Sequence, residues 1–148
     1  ECLVEVGGEV RTTGDKRGKG WHVGIDTPAD GNYTPGADLQ AKVRLDNRAL
    51  ATSGNYRKFF VEDGVKYSHT IDPRTGYPVR HTLLSATVIA AECSVADAWA
   101  TACMVAGPDI AKTLIEKHDF LEGYLVFSDE NGVMKSWMSD GCMGLIEE

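Results

Sequence analysis

The 148-residue sequence has no apolar run able to span a bilayer as a helix. The longest, Ala98 to Ala106, is broken by Thr101 and falls far short of the ~20 residues such a helix needs. Positive charge is also scarce: 15 Lys plus Arg face 22 Asp plus Glu, for a net charge of −7. Nucleic-acid surfaces need basic clusters to neutralise phosphates, so no nucleic-acid partner is expected. A small anionic ligand held by a few local donors stays compatible with this balance. The cysteines, Cys2, Cys93, Cys103 and Cys142, form no Cys-x-x-Cys pair, and His22, His69, His81 and His118 form no His-x-x-x-His pair, so no zinc motif is present. If Cys93 and Cys103 bound one helix, its rise would hold them about 15 Å apart, beyond the ~7 Å that a disulfide tolerates. The cysteines therefore read as mostly buried, reduced packing residues. Initiator Met, signal peptide and lipobox are all missing, and the chain opens directly in the strand pattern Leu3-Val4-Glu5-Val6. That start reads as a cut boundary and the chain as a fragment.

What is present is ordinary for a folded domain: 43% hydrophobic and 25% charged residues, close to the globular average and unlike a disordered chain. A domain of this length removes roughly 70% of its unfolded surface from water. Leu3 to Val10 reads as a strand interrupted at Gly7-Gly8, by a bulge or by a close approach of another group to the backbone. Residues 12 to 20 are turn-forming, Trp21 to Ile25 alternates as a strand, and the proline- and glycine-rich 26 to 38 is a loop. Alternation resumes at Lys42 to Leu45, and Arg48 to Gly54 leads into a hairpin of Phe59-Phe60-Val61 and Val65-Lys66-Tyr67 over Asp63-Gly64. His69 to Pro78 is rigid irregular chain, and Leu83 to Ala91 is a mostly apolar central strand. Ser94 to Ala106 reads as a helix stopped by Gly107-Pro108, and Asp109 to Lys117 as a second, amphipathic one. Tyr124 to Phe127 and Val133 to Trp137 close a final hairpin. Residues 1–148 thus form a single α+β domain with a largely antiparallel sheet packed with helices.

Three groups of residues carry chemistry. From position 95 to 106 only Asp97 and Thr101 are polar. A helix apolar all round is a buried helix, so Asp97 is expected to be buried, where it would need a partner. Asp97 and Thr101 stand at i and i+4 and project from one face; a carboxylate with a hydroxyl suits a hard cation such as Mg²⁺. Spacing alone favours a capping box instead, with Asp97 bonding back to the Ser94 amide and Thr101 to its own i−4 carbonyl. The second group is Tyr67 to Pro78, in which two prolines and a glycine fix the backbone around His69. An imidazole with an ordinary pKa near 6.5 can serve as a general base; a structural histidine in a turn is the competing reading. Asp72 before Pro73 reads as a turn-former. The third group is Gly7-Gly8-Glu9 with Thr52-Ser53-Gly54-Asn55-Tyr56-Arg57, whose small residues, amides and hydroxyls suit phosphate or ribose oxygens.

Together these segments resemble the C-terminal half of the ApbE family, the FAD:protein FMN transferases. The matching stretches are Leu3 to Val10, Ala49 to Arg57, Ser68 to Pro78, Ser85 to Ala90 and Ala96 to Ala102, in family order. The resemblance implies an ApbE-like (T-fold-like) domain that is the C-terminal part of a longer protein. It also implies binding of FAD and Mg²⁺, with transfer of FMN to a Thr or Ser hydroxyl of a target protein and release of AMP. Asp97 and Thr101 match the family's metal ligands, against the capping preference. His69 matches the histidine proposed to assist catalysis, and Ile71 a flavin-nucleotide contact. Thr70, Ser53, Gly54, Tyr56, Gly8 and Glu9 complete the expected cofactor contacts. Position 100 is Ala where some members carry Asp. Members are longer, with an N-terminal half that supplies a lipoprotein signal, further flavin contacts and another metal ligand. The full-length protein is therefore expected in the periplasm, lipid-anchored to the membrane, acting on membrane redox subunits. The segment alone is expected to bind FAD weakly and to be inactive. An FAD pyrophosphatase and a non-catalytic flavin-binding fragment are the alternative readings.

Overall fold

The computed structural model describes residues 1–29, 31–32, 34–55, 59–62 and 65–147, with the backbone alone at 59–62 and 65–67. In chain order the strands are β1 (Cys2–Val6), β2 (Glu9–Thr13), β3 (His22–Asp26), β4 (Leu39–Arg44), β5 (Ala49–Gly54), β6 (Phe59–Glu62), β7 (Val65–Ser68), β8 (Ile71–Asp72), β9 (Tyr77–Pro78) and β10 (Leu83–Ala90). Helices α1 (Cys93–Ala106) and α2 (Pro108–Glu116) follow, then β11 (Glu122–Ser128), β12 (Met134–Met138), the short α3 (Asp140–Met143) and β13 (Ile146–Glu147). Six strands form one antiparallel sheet in the order β1-β2-β5-β10-β11-β12, and β13-β4-β3 form a second.

The period-2 alternation of the central strands builds three layers. On β5 and β10, Ala49, Ala51, Ala86, Val88 and Ala90 face the helices, joined by Leu125 of β11. Leu50, Ile89, Tyr124 and Val126 turn the other way and meet Ile25, Val43 and Leu45, in and next to the three-stranded sheet. Burying each large aliphatic side chain contributes about 1.5–3 kcal/mol. The helix layer rests on small side chains. Ala96, Ala100, Cys103 and Met104 form the buried stripe of α1, and alanines line the strands beneath it. With little side-chain volume in the seam, helix and sheet approach closely.

The α+β architecture agrees with the sequence reading, with local differences. Residues 3 to 10 are a hairpin and not one bulged strand: Val6 pairs with Glu9 around Gly7 and Gly8. Both glycines have positive φ, 69° and 108°, which a tight primed turn demands. The irregular stretch after His69 contains the small β8–β9 hairpin. The β6–β7 pairing is present in the expected place, while its Asp63-Gly64 turn lies outside the described residues. The closing α3 and β13 have too few residues for any periodicity to announce them. No disulfide joins the cysteines. Cys103 and Cys142 are buried and Cys93 half-buried, but Cys2 is exposed on the edge strand, contrary to a wholly packing role.

Burial pushes the Cys103 thiol up from 9.0 to about 11. Burial, with the Glu122 charge, takes Cys142 to about 12. Native alkylation at pH 8 should therefore modify Cys2 first, Cys93 next, and Cys103 and Cys142 only after denaturation. Equal rates at all four would contradict the packing. Because the unfolded chain releases these protons first, the two buried thiols support the fold fully below pH 9.0 and less as pH rises towards about 11. In the alanine seam, Ala100→Leu should cost about 1–3 kcal/mol by overpacking, read as a lower urea midpoint.

Candidate functional site

Helix α1 begins one residue earlier than its sequence suggests, and this changes what Asp97 can do. The N-cap is Glu92 in extended conformation, with no side-chain capping bond. Ser94 is therefore inside the helix, and a box between Ser94 and Asp97 does not form. Nor is Asp97 buried: Asp97 and Thr101 both lie on the exposed side of α1. The apolar run misleads because so much of it is alanine, and leaving Ala98 at the surface costs little. Among the described residues Asp97 makes no hydrogen bond or ion pair. Thr101 does not bond back to its helix; its hydroxyl lies 3.2 Å from that of Ser53 on β5.

Ser53 sits opposite Ala86 in the β5–β10 ladder, and Gly54 opposite Ser85. The end of β5 is fastened where Asn55 donates its backbone N–H to the Leu84 carbonyl at 3.1 Å. Its side-chain amide donates to the Leu83 carbonyl, also at 3.1 Å. Tyr56, the next expected cofactor contact, lies outside the described residues. Gly8 ends the β1–β2 turn and Glu9 begins β2, the neighbour of β5 in the sheet. The Gly8 amide donates to Glu5 at 3.0 Å, and no atom lies within 4 Å of where a Cβ on Gly8 would stand. Burial raises the Cys93 thiol at the start of α1, opposed by the Arg11 charge and aided by the smaller effects of the Glu9 and Glu92 carboxylates. That thiol donates to the Val10 carbonyl at 3.4 Å. Val10, next to Glu9 in β2, thus meets the first turn of α1, one turn before Asp97.

His69 and Thr70 form the connection between β7 and β8, and Ile71 begins β8. Ser68 is buried and its hydroxyl accepts the Thr70 amide at 3.0 Å. His69 and Ile71 are exposed, Ile71 by 46%. Asp72 forms the turn as expected, accepting the Arg74 amide at 2.9 Å. It also takes the guanidinium in a fork, Nε at 3.0 Å and Nη2 at 2.9 Å. The hydrogen bonds from the Arg74 side chain and backbone hold the Asp72 carboxyl below its ordinary range. A cleft of about 360 Å³ opens beside this turn, between Asp72, Thr75, Tyr77, Pro78, Val79 and Arg80. Among the described residues no hydrogen bond or ion pair links His69, Thr70 or Ile71 to Asp97 or Thr101. A second cleft of about 300 Å³, on the three-stranded sheet, holds none of the residues singled out by the sequence.

The start of β10, which follows the segment from His69 to Arg80, is tied to α1 through His81, a residue that the sequence did not single out. Leu83 donates its amide to His81 Nδ1 at 3.2 Å, so His81 Nε2 carries the proton donated to the Met104 carbonyl at 2.7 Å. Met104 is in the last turn of α1, where carbonyls lack helical partners. Gly107, at φ 84°, ends the helix and returns its amide to the Cys103 carbonyl. A Cβ there would stand 3.2 Å from the His81 ring. No motif marks His81, whose partner is 23 residues away. The Asp72–Arg74 fork could have been found by its i, i+2 spacing across Pro73.

No group of three or more His, Cys, Asp or Glu converges among the described residues. The donors at α1 are one carboxylate and two hydroxyls, all hard oxygens. That set fits a cation such as Mg²⁺, which takes few protein ligands and keeps several waters, and does not fit zinc.

Residues 1–125 match the model of the ApbE family. The chain belongs to the ApbE family. It is 40% identical over 131 residues to the FAD:protein FMN transferase of Haemophilus influenzae, covering 88% of this chain and 37% of that protein. Identity to the Escherichia coli K12 protein of the same name is 40% over 140 residues, covering 93% and 38%. Among solved structures, the ApbE protein of Thermotoga maritima superposes with a TM-score of 0.79 at 37% identity, over 99% of this chain and 45% of that one. The apo flavinyl transferase ApbE of Pseudomonas stutzeri gives 0.77 at 34% identity, over 97% and 42%. The ApbE-like fold expected from the sequence is therefore the observed one. The chain spans well under half the length of these curated relatives, 37–38%.

His81→Ala should leave the Met104 carbonyl and the Leu83 amide unpaired at a half-buried site. A loss of about 2–4 kcal/mol is expected, measured by urea unfolding; an unchanged midpoint would show that solvent replaces both bonds.

Proposed function

We propose that this chain is the C-terminal part of a Mg²⁺-dependent FAD:protein FMN transferase, which moves FMN from FAD to a Thr or Ser hydroxyl of an acceptor protein and releases AMP. The observation that carries this reading is the outward carboxylate–hydroxyl face of α1. Asp97 is spent neither on capping nor on an ion pair among the described residues, and Thr101 is paired with Ser53 and not with its own helix. The names of the relatives support the substrate class.

Asp97 and Thr101 are the residues that would hold Mg²⁺. When bound, the cation supplies charge neutralisation at the FAD pyrophosphate. Ser53, Gly54 and Tyr56, with Gly8 and Glu9 and with Thr70 and Ile71, are the proposed FAD contacts. His69 takes the proton from the attacking hydroxyl. A new bond forms between that oxygen and the FMN phosphorus while the pyrophosphate bridge breaks, and the bridging oxygen leaves with AMP. Exposure of His69 suits a base that must meet a side chain delivered by another protein. On the same reading the full-length protein is periplasmic and lipid-anchored, and its acceptor is a membrane redox subunit.

The test is FMN transfer by the full-length protein to a peptide bearing the acceptor hydroxyl, followed by mass spectrometry. Asp97→Ala should lower transfer by about 100-fold or more, the scale of losing several kcal/mol of charge stabilisation. Normal transfer by that variant in Mg²⁺ would sink the metal assignment. Release of FMN and AMP with no flavinylated peptide would instead identify a pyrophosphatase.

A further inference from the structure

A hydroxyl that lends a lone pair to a cation must send its proton elsewhere. Thr101 has two nearby options in principle: its own i−4 carbonyl, or another side chain. Helical threonines commonly use the first, and Thr113 in α2 does so, donating to the Asp109 carbonyl at 3.2 Å. Thr101 differs. Its described partner is the Ser53 hydroxyl at 3.2 Å, a bond in which either oxygen could be the donor. Ser53 is held rigidly, one ladder position from the fastened end of β5 and opposite buried Ala86. The contact exists because Ala51, Ala86 and Ala100 keep the seam thin, so that a strand hydroxyl reaches a helix hydroxyl directly.

Resting on the proposed metal role of Asp97 and Thr101, we infer that Ser53 is a positioning residue: it accepts the Thr101 proton and so turns the Thr101 lone pair towards the cation. With the Thr101 proton committed to Ser53, the oxygen presents only lone pairs on the side shared with Asp97. The Ser53 proton then points away from Thr101. Ser53 thus acts on the cation through Thr101, and its contribution is read in cation affinity.

The experiment uses the full-length protein, with Mn²⁺ binding followed by electron paramagnetic resonance and FMN transfer titrated with Mg²⁺. Ser53→Ala should weaken Mn²⁺ binding about tenfold, within the 10–100-fold range for residues that orient a metal ligand. It should raise half-saturating Mg²⁺ for FMN transfer by a similar factor. Ser53→Thr, which keeps the hydroxyl, should bind Mn²⁺ within about twofold of the parent. The inference is overturned if Ser53→Ala binds as tightly as the parent, or if Ser53→Thr fails as badly as Ser53→Ala, which marks a packing role. Asp97→Asn separates the two levels. Loss of Mn²⁺ binding there with an unaffected Ser53→Ala removes only this inference, whereas retention in Asp97→Asn removes the metal reading on which it rests.

Discussion

The thinness of the seam between α1 and the six-stranded sheet governs most of what the molecule presents. Its helix side is Ala96 and Ala100, and its strand side Ala49, Ala51, Ala86 and Ala90, all buried. A seam of methyl groups offers less transfer energy per residue than one of leucines. The fold recovers it elsewhere, through Met104, Leu83, Leu125 and Ile115 at the margins and through the denser contact with the second sheet. What close approach adds is geometric. A strand hydroxyl, that of Ser53, and a helix hydroxyl, that of Thr101, meet without an intervening layer.

That same alanine content explains where sequence reasoning succeeded and where it failed. The mostly apolar run Leu83 to Ala91 reads as a central strand because both faces of β10 are buried and each position must be apolar or small. The helix boundary at Gly107-Pro108 was legible because a positive φ and a missing amide N–H are local requirements. Burial of Asp97 was misjudged because an alanine counts as apolar in any pattern, yet sits in solvent at almost no cost. The bulge at Gly7-Gly8 became a hairpin because its partner lies within the same short run, and period-2 reading cannot distinguish a kink from a reversal.

The candidate site was legible at the level of residue types and not of arrangement. Asp97 and Thr101 announce themselves by i, i+4 spacing, but their availability depends on a cap at Glu92 that carries no capping side chain. Ser53 came into view only as one of several small polar residues; its meeting with Thr101, 48 positions away, is a product of topology. His81 shows the opposite case. It carries no motif, yet its two ring nitrogens fasten the start of β10 to the last turn of the helix bearing Asp97. A short-range motif names the chemistry, whereas a long-range hydrogen bond decides which pieces hold still relative to one another.

The geometry of position 100 bears on how many acidic groups the site can muster. Ala100 is wholly buried, its methyl group packed in the seam. An aspartate there would take a carboxylate into an apolar contact, costing several kcal/mol unless it were paired or displaced the helix. Displacing the helix would separate Thr101 from Ser53. In this chain, then, the acidic inventory of α1 ends at Asp97, and the side-chain oxygens described beside it are the hydroxyls of Thr101 and Ser53. Neutral hydroxyls bind a hard cation weakly unless their protons are directed away from it, so a site with one carboxylate depends more than an acid-rich one on hydrogen bonds behind its ligands. The thin seam that forbids a second carboxylate at position 100 is also what brings the Ser53 hydroxyl within reach of Thr101.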